Sequence, residues 1–246
     1  MGFDAQHARP TDHDGPMTED PPAGGTPGDR ARPPESYVWP LTSLVLVILP
    51  QVLIPARLRQ GPILVVPIVE GLVVLMLLLV AARPGPVPRG ARPFILTLFG
   101  SLVVANTTAA VRLVALVLRS TPKGQAPPTV TQLLVAAGLV LATNIVTFSL
   151  LYWQLDGGGP SGRQGHGASY PDFQFPQTGT EGLAPPGWQP RFQDFLYVAF
   201  TNVVAFSPTD TLPLTHRAKG LMAIQSLISL SVLVVVLSRV INILPA

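Results

Sequence analysis

Asp194-Phe-Leu-Tyr-Val-Ala-Phe-Thr-Asn-Val-Val-Ala-Phe206, followed by Ser207-Pro-Thr-Asp-Thr-Leu-Pro-Leu-Thr215 and, past Arg217 and Lys219, an apolar run from Leu221 to Val240, decides how the chain is read. The first apolar run holds about 12 residues, where a helix crossing a bilayer needs about 20. A short helix, a polar Ser/Pro/Thr/Asp turn and a full-length helix match a re-entrant loop with its outgoing helix. Irregular backbone at that depth is tolerated only where protein or a water-filled cavity surrounds it. The other reading is an ordinary crossing from Phe195 to Leu214 with Ser207 to Asp210 at one surface, and the pattern leaves both open.

The rest of the chain supplies the membrane context. Of its 246 residues 48% are hydrophobic and 12% charged, against about a quarter charged in soluble domains. Apolar runs place four further spans at about Val38–Ala56, Pro62–Ala82, Phe94–Leu118 and Val130–Leu155. The expected fold is therefore all-α, a polytopic transmembrane bundle of about five spans plus a short re-entrant or sixth helix. Pro50 and Pro55 fall late in the first span and should kink or end it. The tight basic turn Arg57-Leu-Arg-Gln-Gly61 makes the first two spans antiparallel neighbours.

Residues 1–36, rich in Pro, Gly, Asp and Arg, read as a disordered tail of cytoplasmic type. Residues 37–155 form the four-helix region, 156–192 a Gly/Pro-rich loop, and 193–246 the half-helix with the final span. Tyr170, Phe173, Phe175 and Trp188 in the long loop suggest partial packing over the bundle mouth. Tyr152 and Trp153 close the fourth span at the level where amphipathic rings meet headgroups.

Ionisable groups inside a bilayer cost about 2.5 to 3.5 kcal/mol and so pair or line a cavity. Glu70 lies about eight residues into the second span and Arg112 about six from the end of the third. Those ends share a membrane side, so the two depths match and an intramembrane Glu70–Arg112 ion pair is expected. In the alternative, Arg112 snorkels outward with Arg119 and Glu70 is protonated or hydrogen-bonded alone. Asn106, Thr107 and Thr108 with Thr143, Asn144 and Thr147 offer interhelical hydrogen bonds. Gly71, Gly100 and Gly138 offer close helix approach. Gln225, Ser226, Ser229 and Ser231 face a bundle interior or a pore.

The chain has no cysteine, which removes disulfides, thiolate metal sites and thiol catalysis. No metalloprotease, serine-hydrolase or phosphate-loop motif occurs, and the four histidines lie in polar segments. No enzyme activity, no cofactor and no metal site is expected. His216 beside Arg217 is a solvated surface histidine or a pH-sensitive group at a pore mouth. The net charge of +3 is spread through loops, leaving no nucleic-acid footprint.

The order of helix, Ser/Thr-containing turn ending in Asp, proline, basic residue and long apolar helix resembles the pore module of potassium channels. There Thr-Val-Gly-Tyr-Gly-Asp precedes a proline and the inner helix. Tyr197 to Thr201 would be the pore helix and Ala205-Phe-Ser-Pro-Thr-Asp210 the signature. Asp210 and Pro213 match, whereas the two glycines and the tyrosine do not, and Pro208 stands among them. Because the glycines permit the stacked-carbonyl conformation of such a filter, the resemblance implies a pore loop with a degenerate filter. The region from about 145 to 243 is also similar to a group of uncharacterised bacterial multi-pass membrane proteins, on Asp194-Phe-Leu-Tyr-Val-Ala-Phe200, the Ser-Asp turn, the basic step and the ending Val240-Ile-Asn242.

The expected function is thus channel-like. A cation path would be lined by Thr201, Asn202, Ala205, Phe206, Ser207, Pro208, Thr209 and Asp210. One loop per chain calls for a homo-oligomer, most simply a tetramer, in a lipid bilayer, with a monovalent cation as permeant. The competing expectation is a non-conducting structural or accessory protein in which the half-helix only packs. Arginine in excess of lysine, with abundant Pro and Gly, suggests a bacterial chain and hence its plasma (inner) membrane. If the loop is re-entrant, the Arg/Lys distribution favours a cytoplasmic N-terminus.

Overall fold

The computed structural model describes residues 35–53, 65–83, 89–119, 126–163, 170–180, 182–205 and 210–243. Expectations for the tail before Glu35, for the turn at Arg57 to Gly61, and for Phe206, Ser207, Pro208 and Thr209 lie outside these residues.

Eight α-helices account for most of the described chain, and the fold is all-α. They are α1 (Val38–Leu53), α2 (Val65–Ala81), α3 (Arg92–Leu118), α4 (Val130–Leu155), α5 (Pro160–Arg163), α6 (Pro176–Gly179), α7 (Phe192–Val204) and α8 (His216–Ile243). The sole sheet among the described residues is one antiparallel pair, β1 (Phe173–Gln174) on β2 (Leu212–Pro213). Three helices, α3, α4 and α8, are long and apolar enough to cross a membrane, which fits a membrane protein. At 16 and 17 residues, α1 and α2 are shorter apolar helices. The five-to-six-span expectation thus meets three helices of crossing length. Pro50 lies inside α1, three residues before its end.

α4 is the hub, packing on α1, α3, α7 and α8. Its sequence explains why it starts where it does. Thr129 Oγ1 accepts from the Gln132 amide at 3.3 Å, and Gln132 Oε1 accepts from the Thr129 amide at 3.1 Å, a reciprocal cap of two otherwise orphaned donors. Replacing Thr129 with alanine should cost about 1 kcal/mol, measurable as a lower melting temperature in detergent. At its other end Gly157, Gly158 and Gly159 all take positive φ, and a Cβ on Gly159 would meet the Gln154 carbonyl oxygen at 2.8 Å. Only glycine turns the chain back so sharply there.

That turn leads into a cap over the bundle mouth, built from 156–163 and 172–190. Tyr152 and Trp153, expected at a headgroup interface, are fully buried instead. Phe173 packs on Tyr152 and Phe195, and Phe175 on Phe195 and Trp188. Tyr37 and Phe192 meet Trp153 edge-on, at 5.5 and 5.9 Å between centroids. Glu35, assigned from the sequence to a disordered tail, belongs to the folded body. It accepts from Trp153 Nε1 at 2.9 Å and from Arg163 Nη2 at 3.0 Å. Burial first, then the Glu35 charge, holds the Tyr37 phenol above its ordinary pKa against the opposing Arg163 charge.

Candidate functional site: a half-length helix under the cap

α7 begins at the cap. Asp194 Oδ2 accepts from the Arg191 amide at 2.7 Å, fixing the first turn, and burial raises the Asp194 carboxyl above the usual range against that bond and the Arg191 charge. Phe195 sits fully buried beneath the Arg163 guanidinium, 5.3 Å from the ring centroid. Thirteen residues at 1.5 Å each carry α7 roughly 20 Å along α4 and α8 before it stops at Val204.

The chain then comes back to the cap. Leu212 pairs with Gln174 and Pro213 with Phe173, and the Leu214 amide donates to the Asp172 carbonyl at 2.8 Å. Asp172 is buried and takes Arg217 Nε and Nη2, both at 2.6 Å, together with the Thr215 hydroxyl. The Asp156 carboxylate in turn accepts from the Asp172 and Phe173 amides at 2.8 and 3.0 Å. The start of α7, the start of α8 and the end of α4 are therefore tied at one end of the bundle.

Of the residues expected to line a path, Thr201 and Asn202 are buried and used inside the chain. Thr201 Oγ1 donates to the Tyr197 and Val198 carbonyls of its own helix. Asn202 Nδ2 donates to Gln225 Oε1 at 2.8 Å and to the Met222 carbonyl at 3.0 Å, while Asn202 Oδ1 accepts from the Ser226 hydroxyl at 3.0 Å. Gln225 Oε1 also takes the Tyr152 hydroxyl at 2.7 Å, and Gln225 Nε2 donates to the Ala199 carbonyl at 3.0 Å. Three helices are locked through one glutamine. Ala205 and Asp210 are exposed.

Glu70 and Arg112 are not brought together. Counted from the ends nearer the cap, Glu70 lies eleven residues from Ala81 and Arg112 twenty from Arg92, depths of roughly 16 and 30 Å. Arg112 is exposed, and Glu70, 1% exposed, accepts from Gln51 Nε2 at 3.0 and 3.1 Å on its two oxygens. The same Nε2 reaches Thr143 Oγ1 at 3.3 Å. Gln51 was overlooked, although it is the one polar residue between Ser43 and Arg57 in the apolar run.

Other expected interhelical contacts differ too. Thr107, Thr108 and Ser231 bond carbonyls of their own helices. A Cβ on Gly71, Gly100 or Gly138 would meet nothing within 4 Å, so among the described residues these are not sites of close helix approach. Asn106 and Asn144 are 1% and 0% exposed, with neither amide nitrogen nor oxygen hydrogen-bonded. Arg163, Asp156 and Asp172 gave no signal, because their partners lie across loops whose course the pattern does not determine. Compared with protein-family models, curated proteins and solved structures, the chain has no match.

Proposed function

We propose that the chain is a multi-pass membrane protein of five crossings with a re-entrant α7, and that it admits monovalent cations along a path at the tip of that loop. The observation that carries this reading is that the start of α7 and the start of α8 are fastened to one cap, through Phe195 beneath Arg163 and through Arg217 on Asp172. A half-length helix aimed inward presents the negative end of its dipole to the bilayer interior, which favours a cation there. Asp210 stands on the return limb. Because Thr201 and Asn202 are engaged within the chain, the lining narrows to the segment from Ala205 to Asp210, and copies assembled around an axis, most simply four, would surround it. The Arg/Lys distribution favours a cytoplasmic side for the cap and the N-terminus, the reverse of the potassium-channel arrangement.

The lock around Gln225 favours a second reading, in which α7 only packs and the protein is a non-conducting accessory. Two measurements separate them. The chain lacks cysteine, so Gln193→Cys and Lys219→Cys, both at exposed positions, are single labelling sites without further engineering. A membrane-impermeant maleimide should reach both from the same face, and labelling from opposite faces would end the re-entrant reading. In liposomes, wild-type protein should pass potassium or sodium, and Asp210→Ala should reduce the flux several-fold, as loss of an acidic ring does in a cation pathway. Same-face labelling with no flux from either protein selects the accessory reading.

A further inference from the structure

Midway along the bundle lies a polar layer that the loop does not use. Measured from the cap-side ends of their helices, Glu70 and Asn144 are each eleven residues in, Thr143 twelve, Gln51 thirteen and Asn106 fourteen, all at roughly 16 to 21 Å. The hydrogen bonds of Gln51 to both Glu70 and Thr143 place α1, α2 and α4 at one level. Asn106 lies on the buried spine of α3 with Phe99, Leu102 and Leu113.

Among the described residues the charges at this level do not balance. Glu70 is the only Asp, Glu, His, Lys or Arg of α2, α1 and α4 contain none of these, and Arg112, Arg217, Lys219 and Arg239 on α3 and α8 are exposed. Among the described residues no cationic side chain pairs with Glu70. Both its oxygens lie within hydrogen-bond reach of a single donor, Gln51 Nε2, whose two hydrogens are shared with the Val47 carbonyl at 3.0 Å and Thr143 Oγ1 at 3.3 Å, so the carboxyl group is under-supplied with donors. Two fully enclosed asparagines without hydrogen-bond partners at this level are the second observation, since a bound ion is one of the few ways such groups are satisfied in a native interior.

We propose that this layer binds one alkali-metal cation, with the Glu70 carboxylate as its counter-charge and neutral oxygens of Thr143 and the asparagines completing its shell. One carboxylate among neutral oxygens matches a single positive charge, whereas a divalent ion would leave an excess charge in the bilayer interior.

The test is thermal unfolding of the full chain in neutral detergent, titrated with NaCl or KCl against choline chloride at constant ionic strength. Wild type should be stabilised by one or both metal ions and not by choline, in the manner of a ligand that binds only the folded state. Glu70→Gln should abolish the metal dependence, Thr143→Val or Asn144→Ala should raise its midpoint about tenfold, and Asp210→Ala should leave it in place. Equal stability in choline and metal salts overturns the proposal, as does a metal effect that survives Glu70→Gln. Stability that follows pH alone means a protonated Glu70 and overturns it as well. If Glu70→Gln does not fold, unchanged midpoints in both Thr143→Val and Asn144→Ala overturn it instead.

Discussion

Arg163→Met is expected to be the most damaging single substitution outside the glycine turn, lowering stability by about 3 to 5 kcal/mol, the cost of stripping one partner from a buried ion pair. The Arg163 side chain is 6% exposed. Its Nη1 donates to the carbonyls of Trp153 and Asp156 at 2.9 and 2.8 Å, and its Nη2 to Glu35 at 3.0 and 3.2 Å. Methionine keeps much of the volume but leaves two carbonyls and the Glu35 carboxylate without that donor, beside the buried Asp156 carboxylate. Arg163→Lys restores a charge without the planar fork that spans those acceptors and should recover part of the loss. The checks are the melting temperature in detergent and limited proteolysis of 164–190, which should be cut readily in the methionine variant. A melting curve and cleavage pattern matching wild type would show that the cap holds without its arginine.

Gln225→Leu is the second large effect. Interhelical side-chain hydrogen bonds in membranes average about 0.6 kcal/mol, so three of them account for about 2. The stranded groups add to this, because the Tyr152 hydroxyl and the Ala199 carbonyl are left enclosed beside leucine. A total of about 2 to 3 kcal/mol is expected, or roughly 5 to 10 °C in melting temperature for a chain of this size. Tyr152→Phe removes a single bond and should cost less than half as much. The contrast tests whether Gln225 joins α7 to both α4 and α8, because equal losses in the two variants would mean the tyrosine bond carries the whole effect.

What the sequence disclosed depended on the range of the interaction. α3, α4 and α8 were legible because a long apolar run states its own length, and α4 begins at Val130 as its run does. α7 was recognisably too short, since a count of apolar residues is a local quantity. The failures were contacts between distant segments. A Glu70–Arg112 pair required the two side chains to face one another, whereas Glu70 is turned to Gln51 of α1 and Arg112 is exposed. In the Gly/Pro-rich stretch after Leu155 the packing of Phe173, Phe175 and Trp188 was foreseeable from residue type, whereas Tyr170 is exposed and the order imposed by Arg163, Asp156 and Asp172 comes from partners far off in sequence. Tyr152 and Trp153 were assigned to a lipid interface on residue type alone, whereas the cap encloses them. In the candidate site, Gln225 stood out as a polar residue on an apolar helix, but that it would spend its amide on Asn202 and Ala199 rather than on a pore required the fold.

The bonds from Glu35 to Trp153 and Arg163 join positions 118 and 128 residues apart. A ribosome must therefore add 128 residues after Glu35 before the first helix can be clasped at its outer end. Until then α1 is kept beside α4 by side-chain packing and the Gln51 contact alone. A nascent chain arrested at Leu155 should show the start of α1 open to protease, and one extended through α8 should show it sealed. The clasp that closes the mouth is thus also a signal that synthesis has passed it.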